Sequence, residues 1–325
     1  MWIILLVVVG ICVVLAIVAC LTFRQPVQGV IPPPASWQRA DPQRLQVDVR
    51  MLVESFFPRD YTHPGNLDRA AAYLREQLEQ AGGSVSEQSY EVVGRSYRNV
   101  IATFGVETDD RIVVGAHYDA CEPLPGADDN ASGAAGLLEL ARMLGRAELP
   151  RRVELVAYTL EEPPFFRTAQ MGSAVHARSL HRSGVRVRAM ISLEMIGFFS
   201  DEPGSQQLPP LFGVLYPSTG NFIAIVGKWG EPELVREIKK AMRGATDLPV
   251  ESINAPAWIP GVDFSDHLNF WRHGDPAVML TDTAFYRNDA YHSARDTPDT
   301  LDYERMAKVI DGVFNAVVAL AAKPS

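Results

Sequence analysis

The stretch GAHYDACEPLPGADDNASG, residues 115–133, follows the apolar run RIVVG and carries His117, Asp119, Glu122, Asp128 and Asp129 among glycines, prolines and small residues. Carboxylates gathered at the end of a buried strand repel one another and resist leaving water, so the grouping calls for a cation. The pattern recurs along the chain. VELVAYT leads to Glu161-Glu162, AMISL leads to Glu194, and the apolar run at 277–280 leads to YRNDAYHSARDT with His292. Two imidazoles and several carboxylates form a donor set suited to zinc or a related divalent ion. Neutralising them takes about two such ions, and two-metal sites hold their ions roughly 3.5–4 Å apart and activate a water between them. Taken singly, each piece has a plain explanation. A His-x-Asp is often a surface pair, Asp-Asp-Asn often caps a helix, and Glu-Glu is often solvated. Histidines also occur at 176, 181, 267 and 273. The reading rests on joint placement, each group just past a strand.

Those strands and the helices between them follow from periodicity. Helical spacing marks 45–57 and 67–81, the second stopped by Gly82-Gly83. Strands are expected at 85–93 and 97–104 around a Gly-Arg-Ser turn, then at 111–116, 153–159, 187–195, 222–226 and 277–280. Helices are expected at 131–144 with Asp128–Asn130 as its cap, and at 173–182, 231–243 and 303–321. Alternation of strand and helix after residue 110 predicts an α/β fold with a largely buried, mostly parallel central sheet. In such sheets ligands bind at the C-terminal strand ends, where these residues would converge.

The order His-x-Asp, GADDNASG, Glu-Glu after AYTL, SLEM, then a late His before Asp-Thr-x-Asp-Thr resembles the co-catalytic zinc peptidases of the bacterial leucyl aminopeptidase kind. Their superfamily also holds glutamate carboxypeptidases and glutaminyl cyclases. The likeness spans roughly residues 45 to 322, GADDNASG is its most specific part, and it implies an α/β fold with a mixed, mostly parallel central sheet sandwiched by helices. It implies that His117 and His292 each bind one of two zinc ions and that Asp129 bridges them. Glu162 and Glu194 would each complete one ion's shell, Glu161 would act as general base and then acid, and Asp119 would orient His117. Asp128 is the less favoured member of its pair. Two departures stand out. Many relatives have Asp where Glu194 stands, and the Glu-Glu pair here runs into Pro163-Pro164-Phe165-Phe166, with Gly172-Ser173 only later.

The implied reaction is hydrolysis of N-terminal residues from peptides by a zinc-activated water. Tyr286 or Tyr291 would donate to the oxyanion, and Phe165, Phe166, Trp258 and Phe264 would favour an apolar first side chain. Ser265-Asp266-His267 resembles a family element near the pocket, and would line the cleft or cap the following helix. Alternatives remain open. A carboxypeptidase would use Arg287 and Arg295 for the substrate carboxylate, a glutaminyl cyclase would use one zinc, and a binding module would lack ligands.

Hydrophobic residues make up 47% and charged residues 21% of the 325, an ordinary globular balance. A net charge of −9 gives no support to nucleic-acid binding. With three cysteines, two in the N-terminal apolar run, a disulfide scaffold is excluded. No Gly-x-Gly-x-x-Gly or Walker loop appears. Trp2 to Phe23 carries no charge and matches the length of a bilayer-spanning helix. Residues 1–24 therefore read as a transmembrane anchor, with a lipoprotein-like signal at Ile17–Cys20 as the rival. Residues 25–43 read as a proline-rich linker and 44–325 as the catalytic domain. The lipobox-like motif places the body outside the cytoplasm, against the bias of Arg24, Arg39 and Arg44.

Overall fold

The computed structural model describes residues 18–209 and 212–323, with positions 2, 10 and 14. Most of the expected anchor, 1–24, lies outside the described residues. Among those described, no helix is long and apolar enough to cross a membrane.

Eight strands form one sheet in the order β1-β2-β4-β3-β5-β8-β6-β7. They are β1 (Ser84–Val92), β2 (Arg95–Phe104), β3 (Asp110–His117), β4 (Arg152–Tyr158), β5 (Arg186–Leu193), β6 (Ile223–Lys228), β7 (Val250–Ala255) and β8 (Ala277–Thr281). The central four, β4-β3-β5-β8, are mutually parallel. The β1–β2 hairpin joins β4 antiparallel, β6 joins β8 antiparallel, and β7 joins β6 parallel. The expected mixed, mostly parallel sheet is present. Continuous apolar runs mark the central strands because both faces are covered. Ile112, Val114 and Ala116 pack into one core and Val113 into the other, as a period of two requires.

The larger core lies under α1 (Pro42–Arg50), α2 (Pro64–Gln80), α3 (Gly133–Leu144), α5 (Pro232–Ala245) and α7 (Tyr303–Ala322). The smaller lies under α4 (Gly172–Arg182) and the short α6 (His267–Trp271). Each long element expected from periodicity appears, with ends shifted by a few residues. Asp41 caps α1 by accepting from Gln43 N at 2.8 Å, and Asp302 caps α7 by accepting from Arg305 N at 2.9 Å.

Three details differ from expectation. The hairpin turns at Val93-Gly94, both with positive φ, rather than through Gly-Arg-Ser. Strand β7 was not expected; VESINA is short, mixed in polarity and at the sheet edge, so period-2 patterning is faint. Of the anticipated Asp128–Asn130 cap, only Asn130 serves α3, its Oδ1 accepting from Gly133 N at 3.1 Å.

The segment 25–43 runs along the body. Ile31 N donates to Lys240 O at 3.1 Å, Ile31 O accepts from Asn315 Nδ2 at 2.7 Å, and Trp37 stacks on Phe314. Just before it, Arg24 grips Glu251 of β7 through two bonds of 2.7 and 2.8 Å.

Candidate active site

The parallel strands end on one side of the sheet, and the expected residues meet there. His117 is the last residue of β3, Glu161-Glu162 follow β4, Glu194 follows β5 directly, and His292 lies in the loop after β8. Asp129 sits at a kink in the segment Ala127–Ser132 that leads into α3, its own backbone extended rather than helical. His117, Asp129, Glu161, Glu162 and Glu194 are buried, while His292 is partly exposed.

Asp129 stands between the two imidazoles. Its Oδ1 is 3.5 Å from His117 Nε2 and its Oδ2 is 3.1 Å from His292 Nε2. Glu194 Oε2 lies 3.3 Å from His117 Nε2, and Glu162 Oε2 lies 3.3 Å from His292 Nε2. Glu161 Oε2 is farther, 3.9 Å from His117 Nε2. Yet His117 Nε2, His292 Nε2 and Glu162 Oε1 have no hydrogen-bond partner. These atoms point at shared positions rather than at each other. Ligands about 2.0–2.2 Å from a tetrahedral zinc stand about 3.3–3.6 Å apart, close to the observed spacings of 3.1–3.5 Å, so these donors suit a metal. Two clusters bring their donor atoms within 4.8 Å of one another: His117, Asp129 and Glu194, and Glu162, His292 and Cys121.

A second layer of contacts holds these donors, and little of it was legible in sequence. Asp119 accepts from the backbone N–H of Glu161 at 3.2 Å and of Glu162 at 3.1 Å, through separate oxygens. Its Oδ1 is also 3.6 Å from His117 Nδ1, so it ties β3 to the Glu-Glu loop as well as facing the imidazole. Ser265 Oγ donates to Glu194 Oε2 at 2.7 Å, which puts the Ser-Asp-His element at the site through its serine. His267 instead bonds Val262 O at 2.9 Å, and burial lowers its pKa to about 4. Asp296, in the Asp-Thr-x-Asp-Thr motif, accepts from Asp128 N at 2.8 Å and Asp129 N at 3.1 Å. Asp128 faces away, accepting from Gly197 N at 3.0 Å and Asn288 Nδ2 at 2.8 Å. The motif Asp-Asp thus divides its work, one carboxylate inward and one pinning loops.

The crowding shifts protonation. Burial pushes the Glu161 carboxyl well above the usual range; His117 draws it back in part while Glu194 and Glu162 push it further. Burial and Asp129 raise Glu162 to about 8, against the pull of His292. Asp129 goes the other way: burial raises it, but the two imidazoles outweigh burial and hold it ionised. Such opposed shifts in neighbouring carboxylates are what a catalytic or metal site imposes.

Other expected residues separate. Tyr291 stacks on His292 at 3.9 Å between ring centroids and lines an apolar cavity beside Glu194. Tyr286 lines it too, but its hydroxyl donates to Pro260 O at 3.2 Å. Of the four aromatic residues expected there, only Phe264 lines that cavity; Phe166 packs behind it, Phe165 is buried against Tyr61, and Trp258 is 81% exposed. The cavity wall is instead built largely by Met195, Leu208, Phe212, Ile253 and Met279. Arg287 is buried over the Phe199 and Phe222 rings and donates to Gln206 Oε1 at 2.9 Å. Arg295 is exposed and donates to Asp289 O. His176 is a core residue bonded to the Tyr158 hydroxyl at 3.0 Å.

The fold and this cluster together define a metal-supported hydrolytic site at the C-terminal edge of an α/β sheet. Peptidase family M28 matches residues 99–317, more than half of the chain, and the chain belongs to that family. It is 47% identical over 301 residues to the uncharacterized protein YfbL of Escherichia coli (strain K12), covering 90% of this chain and 92% of that one. It is 26% identical over 296 residues to leucine aminopeptidase 1 of Ajellomyces capsulatus (strain G186AR), covering 86% and 71%. Among solved structures, the fold resembles BSAP, a zinc aminopeptidase from Bacillus subtilis, with a TM-score of 0.69, 14% identity and coverage of 85% and 94%. It also resembles the glutaminyl cyclase of Bacteroides thetaiotaomicron, with a TM-score of 0.66, 21% identity and coverage of 87% and 99%.

Proposed function

We propose that this peptidase is a two-zinc aminopeptidase that removes apolar N-terminal residues from peptides. The observation that carries the reading is Asp129, which offers one oxygen toward each imidazole. One ion would be held by His117, Asp129 and Glu194, the other by Asp129, Glu162 and His292. Bound zinc supplies Lewis-acid polarisation of a carbonyl and makes water acidic enough to ionise near neutral pH. Everything else falls to side chains. Glu161 stands beside the donors without sharing their close spacing, and its raised pKa suits a group that takes a proton and returns it to the leaving amine. Tyr291 is kept protonated by burial and by the Asp129 and Glu162 carboxylates, so its hydroxyl is a donor for the developing oxyanion. Tyr286 is engaged with Pro260, which favours Tyr291 for that role.

The apolar cavity beginning at Glu194 would seat the first side chain, with site carboxylates taking the α-amine. The arginines that a carboxypeptidase would need are engaged elsewhere, Arg287 with Gln206 and Arg295 with a backbone carbonyl. A complete donor set on both sides supports hydrolysis over a one-zinc cyclisation or a non-catalytic binding role. The test is cleavage of dipeptides with free N-termini against the same peptides acetylated. Chelator-sensitive cleavage of the free series alone is expected; cleavage of the blocked series would overturn the aminopeptidase reading.

We also propose that residues 1–24 anchor the chain to a membrane, with the catalytic domain, 44–325, outside the cytoplasm. The uncharged run Trp2–Phe23 supports the anchor, and the lipobox-like Ile17–Cys20 supports the orientation. Reporter fusions at the C-terminus distinguish the two sides, and release of the full chain by alkaline carbonate would overturn the anchor.

A further inference from the structure

Cys121 was read from the sequence only as an isolated cysteine, and the mechanism above does not use it. In the structure its Sγ lies with a carboxylate oxygen of Glu162 and a ring nitrogen of His292, all three atoms within 4.8 Å of one another. Glu162 is 95% buried, being 5% exposed, and its Oε1 has no hydrogen-bond partner. His292 Nε2 is likewise without one. The thiol therefore joins a set of donors already aimed into one space. A tetrahedral zinc with one thiolate at about 2.3 Å and its other ligands at about 2.1 Å spaces sulfur about 3.6 Å from them, a spacing that falls inside the 4.8 Å within which these three atoms lie.

We propose that Cys121 supplies a thiolate ligand to the ion held by Glu162, His292 and Asp129, a step that rests on the two-ion reading above. Only one side of the site has this option, since the donor cluster around His117 contains no sulfur. The two positions therefore differ in kind. The His117 side is a nitrogen and oxygen site, and the His292 side becomes a site of nitrogen, oxygen and sulfur that selects thiophilic ions over harder ones. On binding, the sulfur–hydrogen bond breaks heterolytically, the proton passes to solvent, and the sulfur electron pair forms the metal–sulfur bond. Glu162, His292, Asp129 and Cys121 would then give that ion four protein donors, the number of a closed zinc site.

The experiment uses the full chain in detergent micelles, freed of metal and titrated with Co2+ alone. The visible ligand-field bands report cobalt on imidazole and carboxylate, and a near-ultraviolet sulfur-to-cobalt charge-transfer band reports the thiolate. The expected result is both kinds of band in the natural protein, with the charge-transfer band lost in Cys121→Ser and in Cys121→Ala and kept when Cys12 and Cys20 are replaced. Zinc affinity at the sulfur-bearing position, measured by competition with a chromophoric chelator, should fall by at least the roughly 10-fold that loss of an outer partner costs. Ligand-field bands without charge transfer would overturn the Cys121 assignment and leave the two-ion reading standing. A charge-transfer band that survives in both Cys121 variants would overturn it as well. Absence of any bound cobalt would overturn the metal site itself and the Cys121 assignment with it.

Discussion

At the scale of single residues, the site separates groups that bind from groups that move protons and groups that hold others in position. Glu161 is the proposed proton carrier. Glu161→Gln should lower kcat by about 10²–10⁴-fold while zinc content, measured by atomic emission, stays that of the natural protein. Asp119 works through others, each of its oxygens taking one backbone N–H of the Glu161-Glu162 pair. Asp119→Asn keeps one acceptor and turns the other into a donor facing an N–H. Zinc affinity or activity should fall about 10- to 100-fold, and equilibrium dialysis together with kcat/KM shows which. Far from the site, Asp311 is buried and accepts from Ala40 N at 2.8 Å. Burial pushes its pKa up from 3.8 to about 6, so the folded chain holds this proton more tightly than the unfolded one. That contribution is fully present below about pH 4 and is lost as pH rises through about 6. Asp311→Asn stays neutral throughout, so its Tm should match the natural protein at pH 4, exceed it increasingly up to about pH 7, and exceed it by a constant margin beyond that. A constant difference in Tm across that range would contradict the assigned shift.

At the scale of elements, catalysis depends on the strands that end together. β3 ends in His117, and at Gly115, two residues earlier, a Cβ would stand 2.2 Å from the Tyr158 ring of β4. Tyr158 is fully buried and bonded to His176, so the ring has little room to yield. Gly115→Ala should destabilise by about 1–3 kcal/mol, seen as a lower urea midpoint at unchanged slope. It should also weaken zinc binding, because the displaced strand carries an imidazole. Most of these elements could be read from the chain. RIVVG and VELVAYT are buried on both faces, and that burial writes unbroken apolar runs. β7 could not be read, since at the sheet edge it needs only an intermittent apolar pattern. Ser265 was expected near the pocket, but its bond to Glu194 was hidden, for it depends on how the loop before α6 is laid over β5.

At the scale of the whole molecule, residues 24–43 brace the body. Ile31 lies over α5, where Gly244 leaves room: a Cβ there would meet Ile31 O at 1.9 Å. Trp37 and Ala40 reach α7. A chain beginning at residue 44 should therefore be less stable than one beginning at 25, by about 2–4 kcal/mol for the apolar surface uncovered, as calorimetry would show. Equal melting temperatures would mean that the segment is a passive spacer. Arg24 and Phe23 dock beside β7, whose Ile253 lines the apolar cavity. The point where the proposed anchor meets the domain is thus close to this apolar cavity.

What the chain's sequence determined by itself was local or carried by type and order: the alternating elements, the donor set, and a spacing of motifs specific enough to resemble a zinc peptidase. Strand ends collect functional groups in any such sheet, and the motif order that resembles a zinc peptidase pointed to His117, Asp129, Glu161, Glu162, Glu194 and His292, which the structure brings together. Only the tertiary structure decided which residues face which. Asp128 and Asp129 are neighbours in sequence, yet one turns to Asn288 and the other to two imidazoles. Four aromatic residues looked equally suited to a pocket, and one lines it. Cys121 gains its meaning from His292, far along the chain. Such choices depend on loops from several strands meeting at one edge, and contacts between distant segments leave no periodic mark in sequence for a reader to find.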